Sequence, residues 1–91
     1  MVKKWITEVV MDFLQHKKSW SNSLTSDGTR LLSYGEEIGR WGKDATGKEV
    51  LILPIVVGQY SRTTTRHRRT LEVVATSRGV RVIQENGVAK R

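Results

Sequence analysis

Ser61-Arg-Thr-Thr-Thr-Arg-His-Arg-Arg-Thr-Leu-Glu-Val-Val-Ala-Thr-Ser-Arg-Gly79 reads as one helix marked at both ends. Three consecutive threonines, 63 to 65, offer a capping hydroxyl, and Gly79 stands where a left-handed C-terminal residue is wanted. At about 100° per residue, His67, Leu71, Val74, Ala75 and the stem of Arg78 fall on one arc, while Arg62, Arg66 and Arg69 line the opposite side. One face packs and the other carries charge. Cations near a helix N-terminus oppose the macrodipole, at a cost of about 0.3–1 kcal/mol each, yet Arg62, Arg66, Arg68 and Arg69 crowd that end. An anionic partner offsets such a cost.

Upstream of this helix the period of the apolar residues shifts toward two. Asp27-Gly28 is a strong hairpin signal, with Trp20 to Ser26 leading in and Arg30 to Tyr34 leading out. The second strand is expected to run on through Ile38 to Trp41, with Gly35 and Gly39 marking a bulge or bend. Gly42 to Gly47 is a polar turn, and Lys48 to Tyr60 forms a third strand. Pro54 cannot donate to a sheet ladder, so it places that strand at an edge or at a bulge.

Before the hairpin, Trp5, Ile6, Val9, Val10, Phe13 and Leu14 recur at the spacing of a buried helix face, giving a first helix from about Lys3 to Lys17. Lys17 and Lys18 close it favourably against the dipole. A core role is expected for this stripe ahead of a dimer interface or a membrane-surface role, the latter weakened by Glu8 and Asp12. Downstream of Gly79, Val80 to Glu85 alternates as a short fourth strand, and 86–91 is expected to be a loose tail. The expected fold is a single α+β domain over 1–85, in the order α-β-β-β-α-β, with an antiparallel sheet covered by helices.

Ninety-one residues allow one small core. The absence of Cys excludes a disulfide framework and thiolate metal sites. Acidic residues interrupt the apolar positions of the first helix, so no secretory signal is read there, and a cytoplasmic location is expected, that of a host cell if the source is viral. The longest apolar run, Val50 to Val57, is too short to span a bilayer. Residues 1–60 hold eight Lys or Arg against seven Asp or Glu, whereas residues 61–91 hold eight against two. Solubility does not require such concentration, and the asymmetry points to a partner surface.

His16 and His67 lack a Cys or a paired carboxylate at ligand spacing, so no metal or cofactor is expected. Glu36 and Glu37 are adjacent strand residues pointing to opposite faces, which gives no acid–base pair. The glycines at 35, 39, 42 and 47 are spaced as turns rather than as a phosphate loop. His67 projects from the packed side of its helix, where a structural role is expected. The enzymatic alternative is a small basic ribonuclease using Arg66, His67, Arg69 and Tyr60; no catalytic residue is assigned.

The arginine face supplies charge and directional donors of the kind phosphates require. A non-enzymatic nucleic-acid-binding protein is therefore expected, with Arg62, Arg66, Arg68 and Arg69 on phosphates and Thr64 and Thr65 ordering the helix start. Only Tyr60 is an aromatic neighbour of these cations in sequence, which favours duplex over stacked single strands. The alternative is a protein that binds an acidic surface of a host protein. Either partner is compatible with a monomer or a homodimer.

Leu32-Ser-Tyr-Gly-Glu-Glu-Ile-Gly and Tyr60-Ser-Arg-Thr-Thr-Thr-Arg-His resemble a family of small, uncharacterised proteins found mostly in phages and mobile elements. That family pairs a Ser-Tyr-Gly strand with a Tyr-Ser-x-Thr-Thr-x-x-His turn into a helix, matched here by Tyr60, Ser61, Thr63, Thr64 and His67. The resemblance covers about residues 24–79 and implies a viral or mobile-element origin, where small proteins commonly bind nucleic acid or disable a host protein. The order α-β-β-β-α is also similar to double-stranded-RNA-binding domains, which carry a Lys-rich cluster where this chain has Arg66, Arg68 and Arg69.

Overall fold

In a computed structural model describing residues 5–54 and 62–85, two helices share one face of a six-stranded sheet, an α+β arrangement. Helix α1 spans Ile6–Leu14 and buries Val9, Val10 and Phe13 completely. Its first turn is closed by the Trp5 amide donating to Glu8 Oε1 at 2.9 Å. It ends sooner than its charge pattern suggests. His16 adopts a left-handed φ of +61°, and the amides of His16 and Lys17 turn back onto the carbonyls of Phe13 and Asp12. Lys17 therefore lies beyond the helix and Lys18 opens the first strand, so neither closes the last turn. Ser19 Oγ donates to Asp12 Oδ2 at 2.7 Å, fastening that strand to the helix it leaves. Lys3 and Lys4, the expected helix start, lie outside the described residues.

Five strands follow as a meander: β1 Lys18–Trp20, β2 Leu24–Asp27, β3 Arg30–Ser33, β4 Glu36–Lys43 and β5 Glu49–Leu53. The segment expected to enter the Asp27 hairpin as one strand is two, because 21–23 turns and sets Trp20 opposite Thr25. Ser21-Asn22-Ser23 is the chemistry of a turn, its polar side chains competing for backbone groups. The Asp27 hairpin itself is present. Asp27 Oδ1 accepts from the amides of Thr29 and Arg30 at 2.8 and 2.7 Å, and these bonds hold its carboxyl below the usual carboxylate range. Asp44 organises the next polar turn in the same way, accepting from the Thr46 hydroxyl and from the amides of Thr46 and Lys48.

The strand expected to run on from Arg30 to Trp41, with a bulge or bend at Gly35 and Gly39, folds back on itself at the first of these. Tyr34 and Gly35, with φ of +51° and +83°, form a two-residue turn between β3 and β4. The irregularity expected at Gly39 does occur: Leu31 faces Gly39 and Leu32 faces Glu37, leaving Ile38 without an opposite residue. This bulge turns Ile38 and Gly39 both toward the core, where a strict two-residue period would bury only one of them.

After β5 the chain crosses over through helix α2, Arg62–Ser77, to strand β6, Val82–Gln84, which pairs with β5 in parallel. The sheet is thus mostly antiparallel with one parallel pair, and the order is α-β-β-β-β-β-α-β. A helix between two neighbouring strands returns the chain in the same direction, which makes the last pair parallel. Gly79, at φ +78°, ends α2 as expected: Val80 N–H reaches Ala75 O at 2.9 Å and Gly79 N–H reaches Thr76 O at 3.1 Å. Residues 55–61, the rest of the predicted third strand with Tyr60 and Ser61, and the tail 86–91 lie outside the described residues.

The core lies between the helices and the sheet. Phe13, Leu24, Leu31, Ile38, Leu51, Leu53 and Leu71 are inaccessible to solvent. Trp41 stacks on Phe13 with ring centroids 5.7 Å apart and donates its indole N–H to the Phe13 carbonyl at 3.1 Å. Gly39 lets α2 approach closely, since a Cβ there would come within 2.5 Å of Leu71 Cδ2. Among the described residues no helix is long and apolar enough to cross a membrane. Phe13→Ala is expected to lose about 3–5 kcal/mol in urea unfolding, and Gly39→Ala about 1–3 kcal/mol through overpacking against Leu71. Wild-type midpoints for both variants would show that α1 and α2 are not docked as described.

Candidate nucleic-acid interface

Helix α2 distributes its side chains by period. Leu71 and Ala75 pack on the sheet, Thr64 and His67 are buried near its first turns, and Arg62, Arg66 and Arg69 stand exposed on the outer face. From Arg62 to Arg69 the helix rises about 10 Å. Among the described residues no acidic group forms an ion pair with these three. The arginines elsewhere on the sheet and its loops are engaged. Arg40 bridges Glu37 at 2.8 Å and Glu85 at 2.7 Å, contacts that raise its guanidinium above its already high ordinary value. Arg81 meets Asp44 at 2.9 Å, and Arg30 lies 3.5 Å from Asp27.

Two grooves run along the arginine ridge. The larger, about 370 Å³, has Arg62, Thr63, Arg66 and Thr70 on its α2 side, Ile6 and Thr7 of α1 opposite, and His67 in its wall. The smaller, about 260 Å³, is bounded by Arg66, Arg69, Thr70, Val73 and Val74. Guanidinium groups beside threonine hydroxyls make an anion-binding chemistry, charge with directional donors.

Two residues read as part of this set are placed elsewhere. The Thr64 side chain, 1% exposed, turns inward to Ser33 in the first turn of α2. Arg68 lies on the flank of the helix: its Nη2 donates to the Pro54 carbonyl at 3.1 Å, and its buried Nε has no hydrogen-bond partner among the described residues. Neither belongs to the outer face. Thr65 remains exposed beside Arg66.

Beneath the ridge, Ser33 Oγ stands 2.8 Å from His67 Nδ1 and 3.1 Å from Thr64 Oγ1, all three residues buried. The two short motifs singled out in the sequence, Ser33-Tyr34-Gly35 and Thr63-Thr64 with His67, thus meet in space. Tyr34 completes the junction, its ring 6.5 Å from that of His67 and inclined by 22°. The pairing of Ser33 with His67 is not readable from sequence, because 34 positions separate them and the pattern around Ser33 is that of a continuing strand. The Tyr-Gly pair at a hairpin turn was the available signal.

Burial holds the His67 imidazole below its ordinary value of about 6.5, with the neighbouring Arg66 charge adding to the effect. The neutral ring accepts at Nδ1 when Ser33 donates, which satisfies both buried groups. Among the described residues no three His, Asp or Glu side chains gather as a metal ion would require.

A lowered folded-state value means that the unfolded chain binds the proton more readily, so folded stability should be complete above about pH 6.5 and fall as pH drops from there through the lowered value. Melting temperatures measured across this window should decline for the wild type and decline less for His67→Gln. Parallel curves for the two proteins would show that His67 titrates as freely folded as unfolded.

Comparison of the chain with family models, with curated proteins and with solved structures finds no match.

Proposed function

We propose that this protein binds nucleic acid through the phosphate backbone, without enzymatic action, using the outer face of α2. The observation that carries the reading is the contrast among the arginines. Arg30, Arg40 and Arg81 are neutralised by carboxylates of the chain, whereas Arg62, Arg66 and Arg69 project together from one ridge with no described acidic partner. Three guanidinium groups on one helix face without a described acidic partner, Arg62 among them at the positive end of the helix, are unfavourable for the isolated protein and become favourable against phosphate. Thr63, Thr65 and Thr70 add hydroxyl donors along the same face.

His67 is assigned a structural part in this reading. It is 3% exposed and its Nδ1 is bonded to Ser33, so its contribution is to hold the N-terminal half of α2 on the β3–β4 turn.

With three phosphate contacts, log affinity for an oligonucleotide should fall linearly with log salt, with a slope between about −2 and −3. Arg66→Ala combined with Arg69→Ala should reduce that slope by about 1.5 while leaving stability within about 0.5 kcal/mol of wild type, since both residues are exposed. A flat salt response, or unchanged affinity in the double variant, would remove nucleic acid as the partner and turn attention to an acidic protein surface.

A further inference from the structure

Tyr34 occupies a turn position that disfavours it. Its φ of +51° is a left-handed conformation that Gly, Asn or Asp adopts more readily, and the two-residue turn it forms with Gly35 is of the kind those residues dominate. The ring is nevertheless 63% exposed. Its plane is inclined by 22° to that of His67 with the ring centroids 6.5 Å apart, and most of the side chain is left to solvent. His67 in turn forms part of the wall of the groove bordered by Arg62 and Arg66. An exposed aromatic residue, held in a strained turn, therefore neighbours His67, a residue of the groove that Arg62 and Arg66 border.

A second large aromatic is close in the chain to the same groove: Trp5, 78% exposed, immediately precedes Ile6 of its far wall. The groove volume, about 370 Å³, is at the small end of ligand sites, suited to a nucleotide unit rather than to the full width of a duplex. Cations that track a backbone, joined to aromatic faces on which bases stack, are the two components of single-strand recognition.

We infer that the nucleic acid taken by this protein is single-stranded, with phosphates held by Arg62 and Arg66 and an unpaired base stacked on the exposed ring of Tyr34. This rests on the backbone-binding reading of α2 and adds the class of strand. A base within a duplex keeps both faces covered by its neighbours, so Tyr34 discriminates by requiring a face that only an unpaired base offers. Sequence preference is weak in such a site, because every base presents a π surface.

The test uses fluorescence anisotropy with an oligothymidylate of about twelve nucleotides and a blunt-ended duplex of two annealed strands, at one salt concentration. The single strand is expected to bind at least about tenfold more tightly than the duplex. Tyr34→Asn suits the left-handed turn better and removes the ring, so it should raise the melting temperature while weakening single-strand binding by about 5- to 100-fold. Tyr34→Phe should bind as wild type, and duplex binding should be indifferent to either change. Wild-type single-strand affinity in Tyr34→Asn, or a duplex bound as tightly as the single strand, would overturn the inference while leaving the backbone reading in place. Absence of binding to both probes would overturn the two together.

Discussion

Helix α2 is held on the sheet at two points of opposite character, and the arrangement of everything around it follows from them. Toward its middle, Leu71 occupies the space that Gly39 leaves by having no side chain. Near its start, Thr64 and His67 are tied to Ser33 by a buried polar network. The first contact is tolerant of rotation and the second is not, because hydrogen bonds specify direction where apolar packing specifies only proximity. Together they set the azimuth of the helix. With Thr64 and His67 turned inward, the period of 3.6 leaves Arg62, Arg66 and Arg69 no position except the outer face.

The same division appears in the charges. On the sheet and its loops, Arg30, Arg40 and Arg81 lie against Asp27, Glu37, Glu85 and Asp44, which removes most of their reach as long-range attractors. The net charge of +7 therefore overstates the field of the sheet and understates that of α2. Screening in physiological salt acts over about 8 Å, so the local cluster governs what an approaching anion meets.

How far this could be foreseen varies with the range of the interaction that decides it. The α2 pattern was readable because Leu71, Ala75 and Gly79 signal through neighbours within one or two turns, and the Asp27 hairpin because Asp27 bonds to residues only two and three positions away. The β1–β2 break was missed since Leu24, Ser26 and Trp20 keep an alternation that a single strand would also show. The parallel placement of β6 and the inward turn of Thr64 were beyond local reading. One depends on where the crossover returns and the other on Ser33, 31 residues earlier in the chain. Thr64 shows the general difficulty: a hydroxyl among threonines looks like a cap, and only the partner across the fold identifies it as core. Arg68 shows the reverse, a cation whose flank position over Pro54 separates it from neighbours identical in type.

The lengths of the strands carry a consequence for how the molecule meets others. Among the described residues the eight-residue β4 lies inside the sheet, while the margins, β1 and β6, are three residues each. At about 3.3 Å per residue each margin offers only about 10 Å of open ladder. Such a short row of free backbone groups is a poor template for another strand, and Lys18 places a charge on one of the two. Growth of the sheet into a neighbouring chain is thereby discouraged at both of the described margins.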